Sequence, residues 1–519
     1  MRRVISKFQS HAVVADGSCA KVWRLLVDNI FRVAVALMAF GFSGLVCSDS
    51  NAQYAAAEPV PNEWKAGFDS INQTQAKEWL SEIAGPQMKG RGTGQSGYSK
   101  AAKFVAGKLD DFGIEPKGDR GTYFQNLPMT RRVPMIEQCR ILGRGFQVPG
   151  AGNLGFERYT DRGQVVGEAV LLVFGRDSKN LPAELSLRDK LVFYVADESS
   201  ATSAPVTIAK KRPAAAIRII DGVPESVSQL VQYGRATRST SVSGTIRREA
   251  AEAMFDRLGV KPEVMKARAD GRTFVQPTNQ SLTIQMRIAE QRTTVPNVVG
   301  WLPGSDPNLK HEYIVMGAHL DHLGVKAGFV FPGADDNGSG STALLSVARA
   351  MTVNGVRPKR SVLFMWFAAE EIGLIGSKYY CDHPVLPLQN MTSMLNIDMV
   401  GRNEESASER ATDNVDSIHL IGSQKGRTHL HQLIQDANRY VGFRFEYDEE
   451  SIFDRSDQYN FYAKGVPVSF LFGGFHPDYH EPTDTIDKIN FQKVVSAARL
   501  YYAAAFLVAD HGRFRLVRE

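Results

Sequence analysis

Histidine and acidic residues follow several apolar segments in the second half of the chain, and their types and spacing suit metal chemistry. The residues are His319, Asp321, Asp336, Glu370, Glu371, Asp398 and His480. All but Asp336 come after segments that we interpret as strands, whereas Asp336 lies in a glycine-rich stretch that leads into a helix. Because open α/β sheets place their sites beyond the carboxyl ends of their strands, we expect these side chains to converge.

Two histidines and three carboxylates form the ligand set that we expect. They are His319, Asp336, one member of the Glu370-Glu371 pair, Asp398 and His480. Imidazole combined with carboxylate is preferred by zinc, with Mn²⁺ or Co²⁺ as substitutes, whereas calcium favours more oxygen ligands and no histidine. Five side chains are too many for one catalytic zinc ion that keeps an open position. They suit two zinc ions per chain if one carboxylate bridges them.

The elements around these residues alternate between strands of the buried type and amphipathic helices, which is typical of an α/β domain. We predict strands at Tyr313–Ala318, Ser361–Phe367, Ser393–Ile397 and Val466–Phe472. We predict helices at Ser341–Val353 and Thr428–Val441. The predicted fold class is therefore α/β, with a mixed and mostly parallel sheet flanked by helices.

Residues 134–291 differ from this pattern, because short apolar runs alternate there with turns. We predict strands at Ala169–Phe174, Leu191–Val195 and Ala214–Ile220, and a helix at Ala250–Leu258. We recognise no cluster of metal ligands and no nucleophile–base pair in this stretch. We therefore predict a small mixed α/β domain at 134–291, inserted between an N-terminal part of the catalytic domain at 53–133 and its main part at 292–519. Residues 53 to about 75 are expected to be loose.

Residues 1–52 have the features of a signal peptide. Basic residues precede an apolar run from Val33 to Val46, which is too short to span a bilayer comfortably. Small residues at Ser50 and Ala52 indicate cleavage before Gln53. We therefore expect an exported protein, periplasmic or secreted, with no membrane span after cleavage. The alternatives are an uncleaved anchor and a lipid anchor at Cys47.

The overall charge and the cysteines exclude two other classes of protein. The formal net charge is +5 over 519 residues, and no dense basic run follows the leader, so nucleic-acid binding is not expected. Beyond the leader only Cys139 and Cys381 remain, and two distant cysteines are not a disulfide framework. They can pair in an oxidising compartment, or both can be buried thiols.

The motifs resemble those of the M28 metallopeptidases, the family of bacterial leucyl aminopeptidases and glutamate carboxypeptidase II. Flanking segments match as well, namely Gly90-Arg-Gly-Thr-Gly, residues 296–305 and residues 396–402. Several motifs in the right order are far more specific than any one of them. The resemblance implies a fold like that of zinc aminopeptidases and phosphorylase-hydrolases. The inserted stretch resembles a protease-associated (PA) domain.

The resemblance also implies a role for each residue. His319, Asp336 and Asp398 would bind one metal ion, while Glu371, Asp336 and His480 would bind the other. Asp336 would thus be the bridge. Glu370 would be the general base that acts on a metal-activated water. Asp321 would support the first histidine, since it lies two residues after His319 in an extended segment and points to the same side, where it can hold the other imidazole N–H.

The adjacent residues Glu370 and Glu371 can have two different roles, one as a metal ligand and the other as a base. Neighbouring side chains in an extended backbone diverge, so one carboxylate can bind metal while the other faces the water. The free carboxylate needs a pKa near neutrality, which partial burial can provide.

Several nearby residues have simpler interpretations. Asp335 is expected to cap the helix after Gly340, and His476 is the rival of His480 for the last ligand position. Residues interpreted as structural or surface are His322, His419, His429 and His431. Ser456-Asp457 is expected to support the site locally. Some relatives have a carbonyl-polarising tyrosine where this chain has Phe453, so Tyr459 or Tyr462 would have to replace it.

The predicted function is that of an exported aminopeptidase with two zinc ions, acting on peptides. Other specificities on the same architecture are a carboxypeptidase, a dipeptidase and a glutaminyl cyclase, although the cyclases bind one zinc ion. A non-catalytic receptor-like module is a further alternative, but such proteins have lost ligands that this chain retains. Fold alone does not separate these functions, whereas the site does.

Overall fold

The computed structural model describes residue 54 and residues 57–160, 163–175, 181–196, 203–226, 229–232, 241–265, 273–326, 329–426 and 428–514. The predicted leader and the cleavage before Gln53 lie outside these described residues. Among the helices of the described residues, none combines the length and the apolar character needed to cross a bilayer.

The strands of the described residues fall into two large sheets and one hairpin. In chain order they are β1 Glu115–Pro116, β2 Phe124–Pro134, β3 Arg140–Gly143, β4 Phe146–Pro149, β5 Leu154–Arg158, β6 Gln164–Val173, β7 Leu191–Val195, β8 Ala215–Ile220, β9 Gln229–Gln232, β10 Val242–Arg247, β11 Phe274–Gln285, β12 Ile288–Leu302, β13 Tyr313–His319, β14 Gly324–Lys326, β15 Phe329–Phe331, β16 Ser361–Phe367, β17 Met391–Asp398, β18 Ser417–Ile421, β19 Arg444–Glu446 and β20 Val468–Phe472.

The α-helices cover the faces of these sheets. In chain order they are α1 Asn62–Ser70, α2 Gln73–Ile83, α3 Ser96–Asp111, α4 Ser203–Lys210, α5 Arg248–Arg257, α6 Gly340–Val353, α7 Ile375–Asp382, α8 Leu430–Asn438, α9 Gln458–Ala463 and α10 Phe491–Asp510.

The main sheet has a parallel centre and antiparallel margins. Its strand order is β19-β18-β20-β17-β13-β16-β12-β2-β9, with β1 paired to β12. Strands β16, β13, β17 and β20 run parallel, and every residue of these four strands is buried. Buried parallel strands explain the continuous apolar runs of the sequence. The predicted mixed α/β fold is confirmed, with most of the parallel pairing in the centre of the sheet.

The predicted elements of this sheet differ from the observed ones mainly at their ends. The strand Ser361–Phe367 has the predicted bounds. The last predicted strand begins later, at Val468, because Pro467 has no N–H to donate to the ladder.

The expectation of a loose segment up to about residue 75 is wrong. Helix α1 forms there because Trp64 and Phe68 bury their rings against α10. The Trp64 ring stacks on Phe506 with centroids 5.1 Å apart. The two residues of this contact are more than 400 positions apart in the chain, so no local sequence pattern predicts it.

The second sheet is built almost entirely from residues 140–285. Its order is β4-β3-β11-β6-β7-β8-β10-β5, and it has an apolar cluster of its own that includes Phe193, Ile217 and Phe255. One strand from the same stretch, β9, instead pairs with β2 of the main sheet. The division of the chain into domains stays a prediction.

Two long antiparallel strands connect the sheets. Strands β2 and β12 pair along their length, from Phe124 opposite Val298 to Pro134 opposite Ile288. The chain thus leaves the main sheet at Pro134 and returns beside the same point. The hairpin β14–β15 follows the His319 segment and lies between the metal-ligand segment and the second sheet.

Candidate metal centre

Two neighbouring parallel strands end at the middle of the candidate site. His319 is the last residue of β13 and Asp398 is the last residue of β17, so the pairing of these strands places both side chains at one sheet edge. The His319 Nε2 atom lies 3.0 Å from Asp398 Oδ1. The second oxygen of Asp398 accepts a hydrogen bond of 2.7 Å from the Ser456 hydroxyl, which is the local support expected of Ser456.

Asp336 lies between two groups of ligands in the turn before α6. Its Oδ1 is 3.4 Å from His319 Nε2, whereas its Oδ2 is 3.0 Å from His480 Nε2. The backbone N–H groups of Asp335 and Asp336 donate to the Asp484 carboxylate at 3.0 and 3.2 Å, which holds the turn. Each oxygen of Asp336 therefore faces a different histidine.

The second group consists of Glu371 and two histidines. His480 Nε2 lies 3.3 Å from Glu371 Oε2, and His322 Nδ1 lies 2.7 Å from Glu371 Oε1. His322, which we interpret from the sequence as structural or surface, is buried and lies 3.6 Å from Asp336 Oδ2. Its position next to Asp321 is the signal that the sequence offers.

The carboxyl group of Glu370 faces the same centre without joining either pair. Its Oε2 is 4.0 Å from His319 Nε2. Burial raises the pKa of Glu370 well above its usual value, and the charges of Glu371 and Asp398 raise it further, although His319 opposes them. The structure thus separates the two glutamates, with Glu371 on the histidines and Glu370 beside them.

Asp321 supports the site through different atoms from those predicted. The His319 Nδ1 contact, at 3.0 Å, is with the backbone carbonyl of Asp321 and not with its carboxylate. The carboxylate instead accepts the Thr93 hydroxyl at 2.6 Å and the backbone N–H of Glu370 at 3.1 Å. The chain leaves the strand after His319, so the alternation expected of an extended segment does not hold there.

Asp335 and His476 form a pair beside the centre. The Asp335 carboxylate accepts the backbone N–H of Gly401 at 2.6 Å and contacts His476 Nε2 at 3.2 Å. It does not cap α6 as predicted, because Asn337 Oδ1 takes the N–H of Gly340 at 2.9 Å. His476 is therefore occupied by Asp335, and the structure brings His480 to the centre.

A small cavity of about 50 Å³ opens onto these side chains. Its apolar lining includes Met399, Ile452 and the rings of Phe470, Phe472 and Phe475.

The tyrosine of this cavity is Tyr479, which the sequence analysis missed. Its ring stacks on His480 with centroids 3.9 Å apart, and its hydroxyl oxygen accepts from Arg455 Nη2 at 3.2 Å. The two tyrosines considered instead, Tyr459 and Tyr462, pack on Phe453. The position of Tyr479, immediately before a ligand candidate, was a signal in the sequence.

Among the described residues, three groups of three donors are close enough to hold a metal ion, and two of these groups share Asp336. These two consist of His319, Asp336 and Asp398, and of His322, Asp336 and Glu371. Burying several carboxylates together is costly unless cations balance them. His322 Nε2 is buried without a hydrogen bond in the described part of the chain, and the 2.7 Å contact between His322 Nδ1 and Glu371 Oε1 lacks the geometry of a hydrogen bond. Imidazole and carboxylate donors are those that zinc prefers.

Comparisons with known proteins agree with this geometry. Residues 297–505 match the model of Peptidase family M28. Aminopeptidase YwaD of Bacillus subtilis (strain 168) is 30% identical over 259 residues, which are 48% of this chain and 50% of that protein. The chain thus spans about half the length of this curated relative.

Solved structures of low sequence identity share the fold. An aminopeptidase from Aneurinibacillus sp. strain AM-1 has a TM-score of 0.50 at 19% identity, covering 87% of this chain and 97% of that one. The zinc aminopeptidase BSAP from Bacillus subtilis also has a TM-score of 0.50 at 19% identity, covering 84% and 94%. The part of the chain that matches the model of Peptidase family M28, residues 297–505, contains every predicted site residue.

Proposed function

We propose that the protein is an aminopeptidase that uses two zinc ions to remove N-terminal residues from peptides. The observation that carries this proposal is the position of Asp336, whose two oxygens face His319 and His480 at 3.4 and 3.0 Å. The name of the Bacillus subtilis relative, an aminopeptidase, and that of the zinc aminopeptidase with the same fold support it.

The chain offers three donors to each ion. His319, Asp398 and Asp336 would hold one, and Glu371, His480 and Asp336 would hold the other. When bound, zinc ions polarise the scissile carbonyl and lower the pKa of a water molecule.

Glu370 is the residue that moves the proton in this proposal. Its carboxylate takes a proton from the attacking water and later gives it to the leaving amine, so its pKa should lie near neutrality. Burial and the nearby carboxylates raise that pKa. The Asp321 carboxylate fixes the backbone of Glu370 through its N–H, and Thr93 fixes Asp321 in turn.

Two further features of the cavity suit the substrate of an aminopeptidase, namely its apolar lining and the hydroxyl group of Tyr479. The lining by Phe470, Phe472 and Phe475 would bury such a side chain, at about 25 cal/mol per Å² of apolar surface removed from water. The Tyr479 oxygen already accepts from Arg455, so its own proton is available to the carbonyl oxygen as charge develops there.

Hydrolysis of leucine p-nitroanilide, with and without an N-acetyl group, tests the proposal. We expect cleavage of the free amine only, loss of activity with a chelator, and recovery with zinc at two ions per chain. Equal cleavage of the acetylated substrate would contradict an aminopeptidase. Cleavage of N-blocked peptides from a free carboxyl end would favour the carboxypeptidase alternative.

We also propose that the protein is exported and that the chain is cut before Gln53. The basic and apolar pattern of residues 1–46 supports this proposal. N-terminal sequencing of the protein recovered outside the cytoplasm tests it, and a chain that retains residues 1–52 would refute the cleavage. The assignment of the second sheet to a PA domain likewise remains our proposal.

A further inference from the structure

A recess of about 1340 Å³ lies between the second sheet and the metal centre. Residues of the second sheet, such as Arg158 and Tyr194, line one side, and the hairpin residues Lys326, Phe329 and Phe331 line the other. His480 lines both this recess and the small cavity at the ligands. The two spaces therefore meet at a predicted metal ligand.

The small cavity at the ligands has far less room than the recess. Its volume is about 50 Å³, against about 1340 Å³ for the recess. If an aminopeptidase places its N-terminal residue there, the rest of the peptide must continue elsewhere. The recess beyond His480 is a space of the right size beside the centre.

The hairpin fixes a lysine at the boundary between these two spaces. Lys326 pairs with Phe329 in the hairpin register, and the Arg218 guanidinium carbon lies 4.1 Å from the Phe329 ring centroid. This cation–π contact joins the hairpin to β8 of the second sheet. The position of Lys326 therefore depends on the hairpin and on its contact with the second sheet.

Charged groups of the metal centre and of the second sheet both affect the pKa of Lys326. Lys326 and Arg158 are both exposed side chains in the lining of the recess. Partial burial lowers the pKa of Lys326, the Glu371, Glu157 and Asp336 carboxylates oppose that shift, and the Arg158 cation adds to it. No carboxylate of the described residues forms an ion pair with Lys326 or Arg158.

Carboxylates also line the recess, namely Glu157, Asp189 and Glu481, beside Arg158, Arg188, Arg212 and Lys326. The four cations exceed the three carboxylates by one. Lys326 and Arg158 line the same recess, and an anion placed between two cations favours the charged form of both.

We infer that the recess receives the part of the peptide after the scissile bond, and that Lys326 and Arg158 bind a carboxylate of that part. This inference rests on the proposed aminopeptidase function. If the free amine lies at the metal centre, the other charge that every short unblocked peptide carries is its C-terminal carboxylate. An aspartate or glutamate side chain near the new N-terminus offers the same chemistry.

Three peptides distinguish these sources: Leu-Gly-Gly, Leu-Gly-Gly-amide and Leu-Glu-Gly-amide. We expect kcat/KM for Leu-Gly-Gly to exceed that for its amide about two- to fivefold, because both cations are exposed and contacts between exposed charges are weak. Recovery of the rate with Leu-Glu-Gly-amide would support binding of an acidic side chain. The preference should decrease as salt is added, because the contact is only partly shielded from solvent.

Variants assign the preference to the recess. Lys326→Met should bring the acid-to-amide ratio close to one, Lys326→Arg should keep it, and the exposed Lys103→Met serves as the matched control. An unchanged ratio in Lys326→Met would overturn the assignment. Equal rates for all three peptides with the unmodified protein would overturn the inference alone, whereas no cleavage of any of them would overturn the proposed function first.

Discussion

At the scale of single residues, the candidate centre is defined by how each carboxylate is held. Asp336 presents one oxygen to each histidine, Asp398 is fixed by Ser456, and Glu370 is held through its backbone by Asp321. Ligands held in this way need little rearrangement to take up a metal ion. Removing a supporting contact of this kind typically lowers metal affinity or activity by about 10–100-fold.

Glu370→Gln and Asp336→Ala should fail in different ways. The first variant keeps the shape but removes the proton acceptor, so we expect zinc to stay bound and kcat to fall by at least about 10²–10⁴-fold. The second variant removes a donor from both groups, so zinc content and stability should both fall. Metal analysis beside kcat checks this pair. Loss of zinc from Glu370→Gln with full zinc in Asp336→Ala would reverse the two roles.

His322→Asn should weaken the binding of one zinc ion. The imidazole of His322 lies 2.7 Å from Glu371 Oε1, and removing it frees that carboxylate to turn away. We expect about 10–100-fold weaker affinity at the site of Glu371 and His480, measured by competition with a chromogenic chelator. The exposed His429→Asn is the control. If both variants bind two ions equally tightly, His322 has no part in holding the metal.

At the scale of elements, one buried arginine holds the segments that carry the ligands. Arg91 is fully buried and donates to the backbone carbonyls of Leu320 and Gly333 at 2.9 and 2.8 Å. It also donates to those of Ile83 and Pro332. Burial lowers its pKa to about 10, so it stays charged at neutral pH. The strand end with His319 and the turn with Asp336 are thus joined through one side chain.

Arg91→Met should destabilise the protein and loosen the metal centre. Four buried carbonyls would lose a charged donor, and the free energy of unfolding should fall by at least about 3 kcal/mol. Urea unfolding measures this loss. Arg91→Lys should recover only part of it, because one ammonium cannot reach all four carbonyls. The exposed Arg410→Met should change little, and a similar small change in Arg91→Met would contradict the role.

At the scale of the whole molecule, the metal centre and the second sheet come from different parts of the chain. All predicted ligands lie within residues 319–480, whereas the second sheet comes almost entirely from residues 140–285. The chain leaves and re-enters the main sheet at the paired residues Pro134 and Ile288. A short turn can therefore replace everything between them.

Replacing residues 135–287 with Asn-Gly should keep the metal centre and alter substrate choice. This dipeptide favours the tight turn between antiparallel strands, so β2 and β12 should still pair. We expect two zinc ions per chain and cleavage of leucine p-nitroanilide, but a loss of the preference for a free carboxylate as Arg158 is removed. A folded deletion without zinc, judged by circular dichroism and metal analysis, would show that the second sheet is needed for the centre.

The candidate residues of the centre and most of the elements that carry them can be predicted from the sequence. Ser361–Phe367 and the other central strands were predictable because buried parallel strands are continuous apolar runs. His319 and Asp398 were predicted to meet because parallel strands end at one edge of a sheet. The carboxylates of Glu370 and Glu371 were expected to diverge because of an extended backbone, but the strand ends at Phe367 and the chain turns at this pair.

The atoms that meet at this edge of the main sheet depend on contacts between segments that are distant in the sequence. The carboxylate of Asp321 turns to Thr93 and Glu370 because the chain leaves the strand after His319. His322 and Tyr479 join the centre through loops whose paths depend on distant segments, and α1 forms against α10 across most of the chain. The recess exists only because a second sheet packs beside the hairpin. Local patterns report periodicity and capping, whereas these contacts depend on long-range packing, which has no signature in neighbouring residues.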